Sequence, residues 1–209
     1  MARAIFVTVE GIEGSGKSSV ISFLSRFLRK KGFKVKVFRE PGSTKIGEKI
    51  RDILLDRRNK TLSPHTELLL YMAARTQLIE EKLSKALSKY DFVICDRFFD
   101  STLVYQGYAM KMGEIVDKSV KLFNLGVVPD LTIVLDTEVT NSLERIKIKD
   151  RIESRPVVFH RRLRDGYRKL ARKYPQRIKL IDAEKNLNAL FRDIESLITK
   201  YIWKTRIKR

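Results

Sequence analysis

The stretch Gly11-Ile12-Glu13-Gly14-Ser15-Gly16-Lys17-Ser18 has the form G-x-x-x-x-G-K-[ST] and lies between an apolar run, residues 4–9, and an amphipathic segment, residues 17–31. Glycines let the backbone N–H groups of such a loop converge on one anion, which the positive end of a following helix also attracts. In this pattern Lys17 reaches the β and γ phosphates of a nucleotide, and Ser18 a Mg²⁺ ion. The alternative is a glycine-rich turn without a ligand. We favour the phosphate-binding loop because a strand pattern precedes it and a helix pattern follows it.

In the rest of the chain, strand patterns alternate with helix patterns. Short apolar or β-branched runs occupy residues 4–9, 34–38, 92–95, 131–135 and 178–181. Helical periodicity occupies residues 17–31, 46–56, 63–88, 113–125, 139–149, 158–174 and 187–203. This alternation predicts an α/β fold of the P-loop NTPase type, with three layers: a five-stranded parallel sheet and helices on both faces. Ligands are expected at the carboxyl ends of the strands.

The composition favours one soluble domain. The 209 residues have room for a sizeable core, so we expect a single domain over residues 1–209. No apolar stretch reaches the length of a membrane span and the N-terminus has no secretory pattern, which indicates a cytoplasmic protein without membrane attachment. Cys95 is the sole cysteine, so disulfides and cysteine-based zinc sites are excluded within the chain. His65 and His160 are expected at the surface or at helix ends.

The charge is strongly positive. There are 44 Lys and Arg residues against 25 Asp and Glu residues, a formal charge of +19 that would attract polyanions. However, no recognition helix or basic and aromatic single-strand pattern is present. Because 33% of the residues are charged while Asn and Gln are scarce, we favour a heat-adapted surface over a nucleic-acid-binding face. The basic tail, residues 200–209, is the feature that most favours a nucleic-acid-binding face.

Residues 145–162 are rich in Arg and Lys. They form either an exposed, charged helix end or a short basic lid. We favour a mobile lid at about residues 145–157, because phosphoryl transfer needs positive charge that arrives when the site closes.

A second functional segment begins where the third predicted strand ends, at Asp96 and Arg97. A carboxylate at this position would organise Mg²⁺ beside Ser18, and Arg97 would bridge the donor and acceptor phosphates. A helix-capping role for Asp96 is the alternative.

The segment of residues 96–107, D-R-F-F-D-S-T-L-V-Y-Q-G, resembles the thymidylate kinase pattern D-R-Y-x-x-S-x-x-A-Y-Q-G. R-E-P-G-S-T with G-E-x-I-R at residues 39–51, and Y-M-A-A-R at residues 71–75, resemble two further family motifs. Residues 129–132, 150–153, 159–167 and 181–183 follow in family order, so the resemblance covers nearly the whole chain. It implies transfer of the γ-phosphate of ATP, with Mg²⁺, to dTMP, and a homodimer.

The resemblance also implies site residues. On the ATP side these are Gly11, Glu13, Gly14, Ser15, Gly16, Lys17, Ser18, Ser19 and Arg145. On the dTMP side they are Glu13, Arg39, Glu40, Pro41, Arg51, Tyr71, Arg75, Arg97, Ser101, Thr102, Tyr105, Gln106 and Tyr167. The metal ligands are Ser18 and Asp96, and the catalytic residues are Lys17, Arg97, Arg151 and Glu13.

Particular roles follow from the same resemblance. Arg39, Arg51 and Arg97 clamp the acceptor phosphate, for which guanidinium groups are suited. Tyr71 stacks on thymine, Arg75 and Gln106 bond the edge of the base, and Tyr105 crowds the sugar 2′ position. Without the resemblance, the tyrosines would be interpreted as core residues and the arginines as surface residues.

The chain departs from the family pattern at Ser43, Phe98 and Val104, and above all in a shorter lid. Because the loop has no cation at residues 12, 13 or 15, a lid residue must stabilise the transferring phosphoryl group. Arg151 is the first choice, before Arg145, Lys147, Lys149 and Arg155. Three alternatives remain open: a kinase for dUMP or UMP, a nucleotide-binding protein with weak turnover, and a basic P-loop ATPase that binds nucleic acid.

Overall fold

A computed structural model describes residues 3–207, with side chains described through residue 203. Its single sheet has five parallel strands in the order β2-β3-β1-β4-β5. The strands are β1 Ile5–Gly11, β2 Val35–Arg39, β3 Phe92–Asp96, β4 Leu131–Asp136 and β5 Ile178–Asp182. All five predicted strands are confirmed, and each ends one or two residues later than predicted. The added residues place Gly11, Arg39 and Asp96 at the carboxyl edge.

The described helices lie on both faces of the sheet. They are α1 Lys17–Lys30, α2 Lys45–Leu55, α3 Pro64–Leu78, α4 Ser84–Lys89, α5 Phe99–Thr102, α6 Glu114–Phe123, α7 Val139–Glu144, α8 Val157–Lys173 and α9 Leu187–Ile207. A π-helical turn, Ile79–Leu83, joins α3 to α4, and a second, Leu103–Ala109, follows α5. No helix in residues 3–207 is both long enough and apolar enough to cross a membrane.

Alternate side chains of the strands build the two cores. Val7 of β1 and Ile94 of β3 pack with α1 and α9 on one face. Phe6 and Val93, their neighbours in the chain, pack with α3, α4 and α6 on the other face. Because side chains point alternately to opposite faces of a strand, an almost continuous apolar run indicates burial on both sides.

Helix starts near the site are capped as their sequences suggest. The Thr44 side chain accepts a hydrogen bond from the Gly47 N–H at 2.9 Å, and α2 begins at Lys45. Ser63 accepts a hydrogen bond from the Thr66 N–H at 3.2 Å, with Pro64 as the first residue of α3. These caps satisfy N–H groups that have no partner inside the helix.

The prediction of one helix over residues 139–149 is wrong beyond Glu144. The chain leaves the helix at Arg145, and residues 145–156 form turns. Directly after the predicted helix, Asp150 Oδ1 accepts hydrogen bonds from the Ile152 and Glu153 N–H groups, both at 2.8 Å, and so stabilises a turn there. Ile148 is 86% exposed, so the segment has no apolar stripe that would hold a helix against the core.

Candidate active site

The donor loop depends on glycine backbone conformations. Gly14 has φ 72° and Gly16 has φ 93°, both in the region that side chains disfavour. A Cβ atom on Gly14 would lie 2.0 Å from the Ser142 carbonyl oxygen of α7. The loop therefore lies against α7 so closely that only glycine fits at this position.

The Lys17 side chain folds back and bonds to carbonyl oxygens of the loop. Its Nζ donates hydrogen bonds to the Ile12 carbonyl oxygen at 2.8 Å and the Gly11 carbonyl oxygen at 3.3 Å. Burial, together with the nearby charge of Arg97, lowers the pKa of Lys17 to about 8. An anionic ligand would restore its proton, because an opposite charge favours the ammonium form.

Helix α7 supports the loop from the lid side. The Ser142 hydroxyl donates to the Glu13 carbonyl oxygen, and Arg145 Nη1 lies 3.4 Å from the Gly14 carbonyl oxygen. Ser15 is buried, whereas Ser18 and Ser19 are exposed at the start of α1.

One cavity of about 260 Å³ adjoins the loop and extends beyond β3 to α3. Most predicted site residues line it: Glu13, Gly14, Lys17, Ser18, Arg39, Glu40, Pro41, Arg51, Tyr71, Arg75, Asp96, Arg97, Ser101, Thr102, Tyr105 and Gln106. The lining does not include the other predicted residues, which are Gly11, Ser15, Gly16, Ser19, Tyr167, Arg145 and Arg151. Leu55, Phe98, Asp150, Ile152 and Glu153 also line it, although the sequence did not single them out as ligand contacts.

Arg97 joins the loop to the acceptor side. Its backbone has φ 67°, an uncommon conformation for a residue with a side chain. Its guanidinium donates to the Gly11 carbonyl oxygen at 2.8 Å, the Tyr167 hydroxyl at 3.0 Å and Glu13 Oε1 at 3.2 Å. It also lies over the Tyr105 ring, with 5.1 Å to the centroid. These contacts hold the guanidinium between the two halves of the cavity.

Glu10 supports this arrangement and was missed by the sequence analysis. It is fully buried and accepts hydrogen bonds from the Phe98 N–H at 2.8 Å, the Ser101 hydroxyl at 2.6 Å and the Tyr167 hydroxyl at 2.8 Å. Burial raises the pKa of Glu10 to about 7, although the charge of Arg97 opposes this shift. The sequence did contain an indication of this role, an acid inside an otherwise apolar strand. A carboxylate at such a position is rarely buried unless it has partners.

Glu13 lies where Arg97, Tyr105 and His160 converge. Tyr105 donates its hydroxyl to Glu13 Oε1, and His160 Nδ1 lies 3.4 Å from Oε2. Burial alone would raise the pKa of Glu13, but His160, Arg97 and Lys17 bring it to about 2. His160 lies at a helix end, in the first turn of α8, which is one of the two positions expected for it, but it is fully buried and not at the surface. His65 is exposed, as expected.

A buried ion pair forms the far end of the cavity. Arg75 Nη2 lies 2.6 Å from Glu40 Oε1, with both side chains only 1% exposed, and it donates to Thr102 Oγ1 at 2.8 Å. The Arg75 guanidinium lies over the Phe98 ring, with 5.3 Å to the centroid. Tyr71 lines the same region, and burial raises the pKa of its hydroxyl. This end is therefore a buried pair of opposite charges, in which Arg75 Nε and both Glu40 carboxylate oxygens have no hydrogen-bond partner among the described residues.

Arg39 and Arg51 lie towards the opening of the cavity. Arg39 Nη2 pairs with Glu48 Oε2 at 2.8 Å, and Arg51 Nη1 donates to the Pro41 carbonyl oxygen at 3.2 Å. Burial and the charge of Arg39 lower the pKa of Arg51. Together with Arg97 they bring three guanidinium groups to one cavity, a set suited to a phosphate.

Two arginines of the predicted lid, Arg151 and Arg155, point to the acceptor side, whereas a third, Arg145, does not. Arg151 Nη2 lies 2.7 Å and Arg155 Nη2 2.6 Å from Glu67 Oε2, and Arg151 Nε donates to the Leu54 carbonyl oxygen at 2.7 Å. Arg145 is the lid arginine beside the donor loop. Lys147 and Lys149 are exposed.

Ser18 and Asp96 line the same cavity, and their oxygens are of the kind that Mg²⁺ prefers. Asp96 Oδ1 is buried and has no hydrogen-bond partner among the described residues. No group of three His, Cys, Asp or Glu side chains within residues 3–207 forms a metal site. A Mg²⁺ ion would fit as one held mainly by nucleotide phosphates, with one carboxylate and one hydroxyl from the protein.

Comparisons with known proteins show which family the chain belongs to. The sequence pattern described as thymidylate kinase matches residues 9–194. A thymidylate kinase of Thermoanaerobacter sp. (strain X514) is 42% identical over 200 residues, which cover 94% of this chain and 98% of the relative. That of Enterococcus faecalis is 42% identical over 207 residues, 95% of this chain and 98% of the relative. The chain belongs to the thymidylate kinase family.

A crystal structure of a thymidylate kinase from Ehrlichia chaffeensis superposes with a TM-score of 0.76 at 28% identity, covering 94% of this chain and 99% of that one. The similarity confirms the predicted P-loop NTPase-type fold. The similarity extends over nearly the full length of that thymidylate kinase structure.

Proposed function

We infer that the protein transfers the γ-phosphate of ATP to the 5′-phosphate of dTMP, giving dTDP. The observation that carries this inference is a single cavity with Lys17 of a phosphate-binding loop at one end and the Arg75, Gln106 and Tyr71 side chains at the other. Membership of the thymidylate kinase family supports the same assignment. Neither a mononucleotide kinase of different base preference nor a nucleic-acid-binding ATPase is favoured.

On the donor side, we propose that the backbone N–H groups of the loop and the Lys17 ammonium bind the ATP phosphates. This half is made up of Gly11, residues 13–19 and Arg145. The start of α1 contributes its partial positive charge to the same anion.

On the acceptor side, we propose that Arg39, Arg51 and Arg97 bind the phosphate of dTMP. Tyr71 would stack on the base, with Arg75 and Gln106 at its edge and Tyr105 near the sugar. Glu40, Pro41, Ser101, Thr102 and Tyr167 complete this half by supporting those groups.

Catalysis then consists of positioning and charge neutralisation, because the acceptor is already an anionic phosphate. Lys17 and Arg97 would neutralise the migrating group. Glu13, ionised at neutral pH, would act by holding Arg97 and the Tyr105 hydroxyl in place. Ser18 and Asp96 would hold Mg²⁺, which supplies electrostatic stabilisation of phosphate oxygens when bound.

The lid cation remains a prediction. We propose that Arg151 or Arg145 completes the charge around the transferring group. The bond of Arg151 to Glu67 supports a role in closing the acceptor half, whereas the position of Arg145 supports direct contact with ATP.

We also propose one domain over residues 1–209 with a lid at about 145–157, acting in the cytoplasm without nucleic acid, as a homodimer. Exposed apolar side chains on α2, α3 and α6 support dimerisation, among them Leu69, 59% exposed, and Leu122, 67% exposed. Light scattering after gel filtration tests the dimer: a mass near 24.4 kDa would contradict it.

The tail, residues 200–209, lies partly outside the described residues, and its role stays a prediction.

A coupled assay with ATP and Mg²⁺ tests the function. Turnover of dTMP should exceed that of dUMP, UMP, CMP and AMP. Equal turnover of dUMP would favour a broader pyrimidine kinase, and ATP hydrolysis without any mononucleotide acceptor would contradict the proposal.

A further inference from the structure

Glu67 of α3 is a buried carboxylate to which no role has been given above. Its side chain is 1% exposed, and three donors from other segments converge on it. Gln106 Nε2 donates to Oε1 at 2.8 Å, whereas Arg151 and Arg155 both donate to Oε2, at 2.7 and 2.6 Å. The lid and the base-binding end of the cavity therefore share one acid.

The contact with Glu67 determines which way the Gln106 amide points. A carboxylate only accepts hydrogen bonds, so Gln106 must turn its NH₂ group towards Glu67. The amide oxygen is then on the opposite side of a planar group. Gln106 lines the cavity, so this oxygen is the atom available to a ligand there.

We propose that Glu67 is a specificity-determining positioning residue, which orients the Gln106 amide so that the site selects bases with an N–H donor at ring position 3. This inference rests on the proposed function. Thymine and uracil carry such a donor between two carbonyl groups, whereas position 3 of cytosine is an unprotonated acceptor. Sites built to pair a particular donor or acceptor discriminate strongly, because the wrong ligand leaves buried polar groups unpaired.

The substitution Glu67→Gln reverses this polarity with little change of shape. Guanidinium groups have no acceptor, so the new amide must keep its oxygen towards Arg151 and Arg155. Its NH₂ group then faces Gln106, which must rotate to accept it and present its own NH₂ group to the cavity. The variant site offers a donor where the native site offers an acceptor.

The test measures kcat/KM and dissociation constants for dTMP and dCMP, by coupled assay and calorimetry. The dTMP to dCMP ratio should fall at least about tenfold in Glu67→Gln, mainly through lost dTMP binding. Gln106→Leu removes the amide without reversing it, so its ratio should lie between those of the wild type and Glu67→Gln. Arg155→Met removes one lid contact but leaves the carboxylate, so its ratio should match the wild type even if its rates fall.

An unchanged ratio in a folded Glu67→Gln protein, or equal losses for both nucleotides, would overturn the proposal. If that variant does not fold, the comparison of wild type with Gln106→Leu decides: an unchanged ratio there shows that the amide does not select the base. A wild-type enzyme that neither binds nor phosphorylates dTMP would contradict the proposed function itself. The dissociation constant of the wild type for dTMP separates the two cases: it tests the proposed function, whereas the dTMP to dCMP ratio in the variants tests the role of Glu67.

Discussion

The donor and acceptor halves of the cavity are built in different ways. The donor loop is eight consecutive residues, which we propose to bind ATP through their backbone N–H groups, with Lys17 as the charged side chain. The acceptor half gathers side chains from β2, α2, α3, α5 and the π-helical turn Leu103–Ala109, and buried acids orient several of them. A backbone site needs the right φ angles, whereas a side-chain site needs every buried charge to be partnered. Damage to the two halves should therefore appear in different measurements.

The substitution Lys17→Ala should disrupt the donor half most strongly. It should abolish turnover, a loss of about a thousandfold or more in kcat, because it removes a preorganised charge from the transferring group. The circular dichroism spectrum and the unfolding midpoint should stay near those of the wild type. Turnover like that of the wild type in this variant would contradict the assigned donor site.

The corresponding substitution in the acceptor half is Arg75→Ala. Its main effect should be on the free energy of unfolding. Glu40 would remain buried without its partner, a loss of about 3–5 kcal/mol in the free energy of unfolding. Urea denaturation measures it. Arg58→Ala is the control, since Arg58 pairs with Asp56 at the surface and should leave the midpoint unchanged. Equal midpoints for both variants would show that the buried pair does not stabilise the acceptor half.

Gly14→Ala tests whether the loop acts through its backbone. The added Cβ would meet the Ser142 carbonyl oxygen, so the loop must shift, and kcat/KM for ATP should fall about a hundredfold. Gly32→Ala is the matched control, because Gly32 also has positive φ, 87°, but a Cβ added there would meet nothing within 4 Å. That control should lose some stability and keep its kinetics. Similar ATP kinetics in both variants would contradict the role of the close approach.

The smallest effect concerns pH. The folded enzyme holds the pKa of Lys17 at about 8, below the usual lysine value, through burial and the charge of Arg97. The free enzyme loses this proton as pH rises through 8, so kcat/KM for ATP should decline there, by up to about tenfold per pH unit. With ATP bound, the phosphates retain the proton, and kcat/KM for dTMP measured at saturating ATP should stay level over the same range. A flat ATP profile up to about pH 9.5 would contradict this.

Several parts of the site followed from local sequence. The glycines and Lys17 lie in one motif. Asp96 ends the buried strand β3, and Arg97 directly follows it. Even so, the helix predicted over residues 139–149 ends at Glu144, because the residues after it, such as the exposed Ile148, have no core to contact.

Glu10, Glu67 and His160 were not assigned roles because each is an ordinary residue in its own segment. Their roles depend on partners far away in the chain: Tyr167 for Glu10, Arg151 and Arg155 for Glu67, and Glu13 for His160. Such pairs have no spacing rule that a single sequence reveals.

The parallel α/β fold and the donor loop could be inferred from the order of residues alone, since they follow from short-range patterns of apolar residues, glycines and one lysine. The family was inferred from a resemblance of motifs, chiefly the one at residues 96–107. Three features required the folded chain: which acids are buried, which way the lid arginines point and how the Gln106 amide is oriented. The physical reason is that burial and hydrogen-bond partners are set by segments distant in the chain, which meet only when the sheet and its helices pack together.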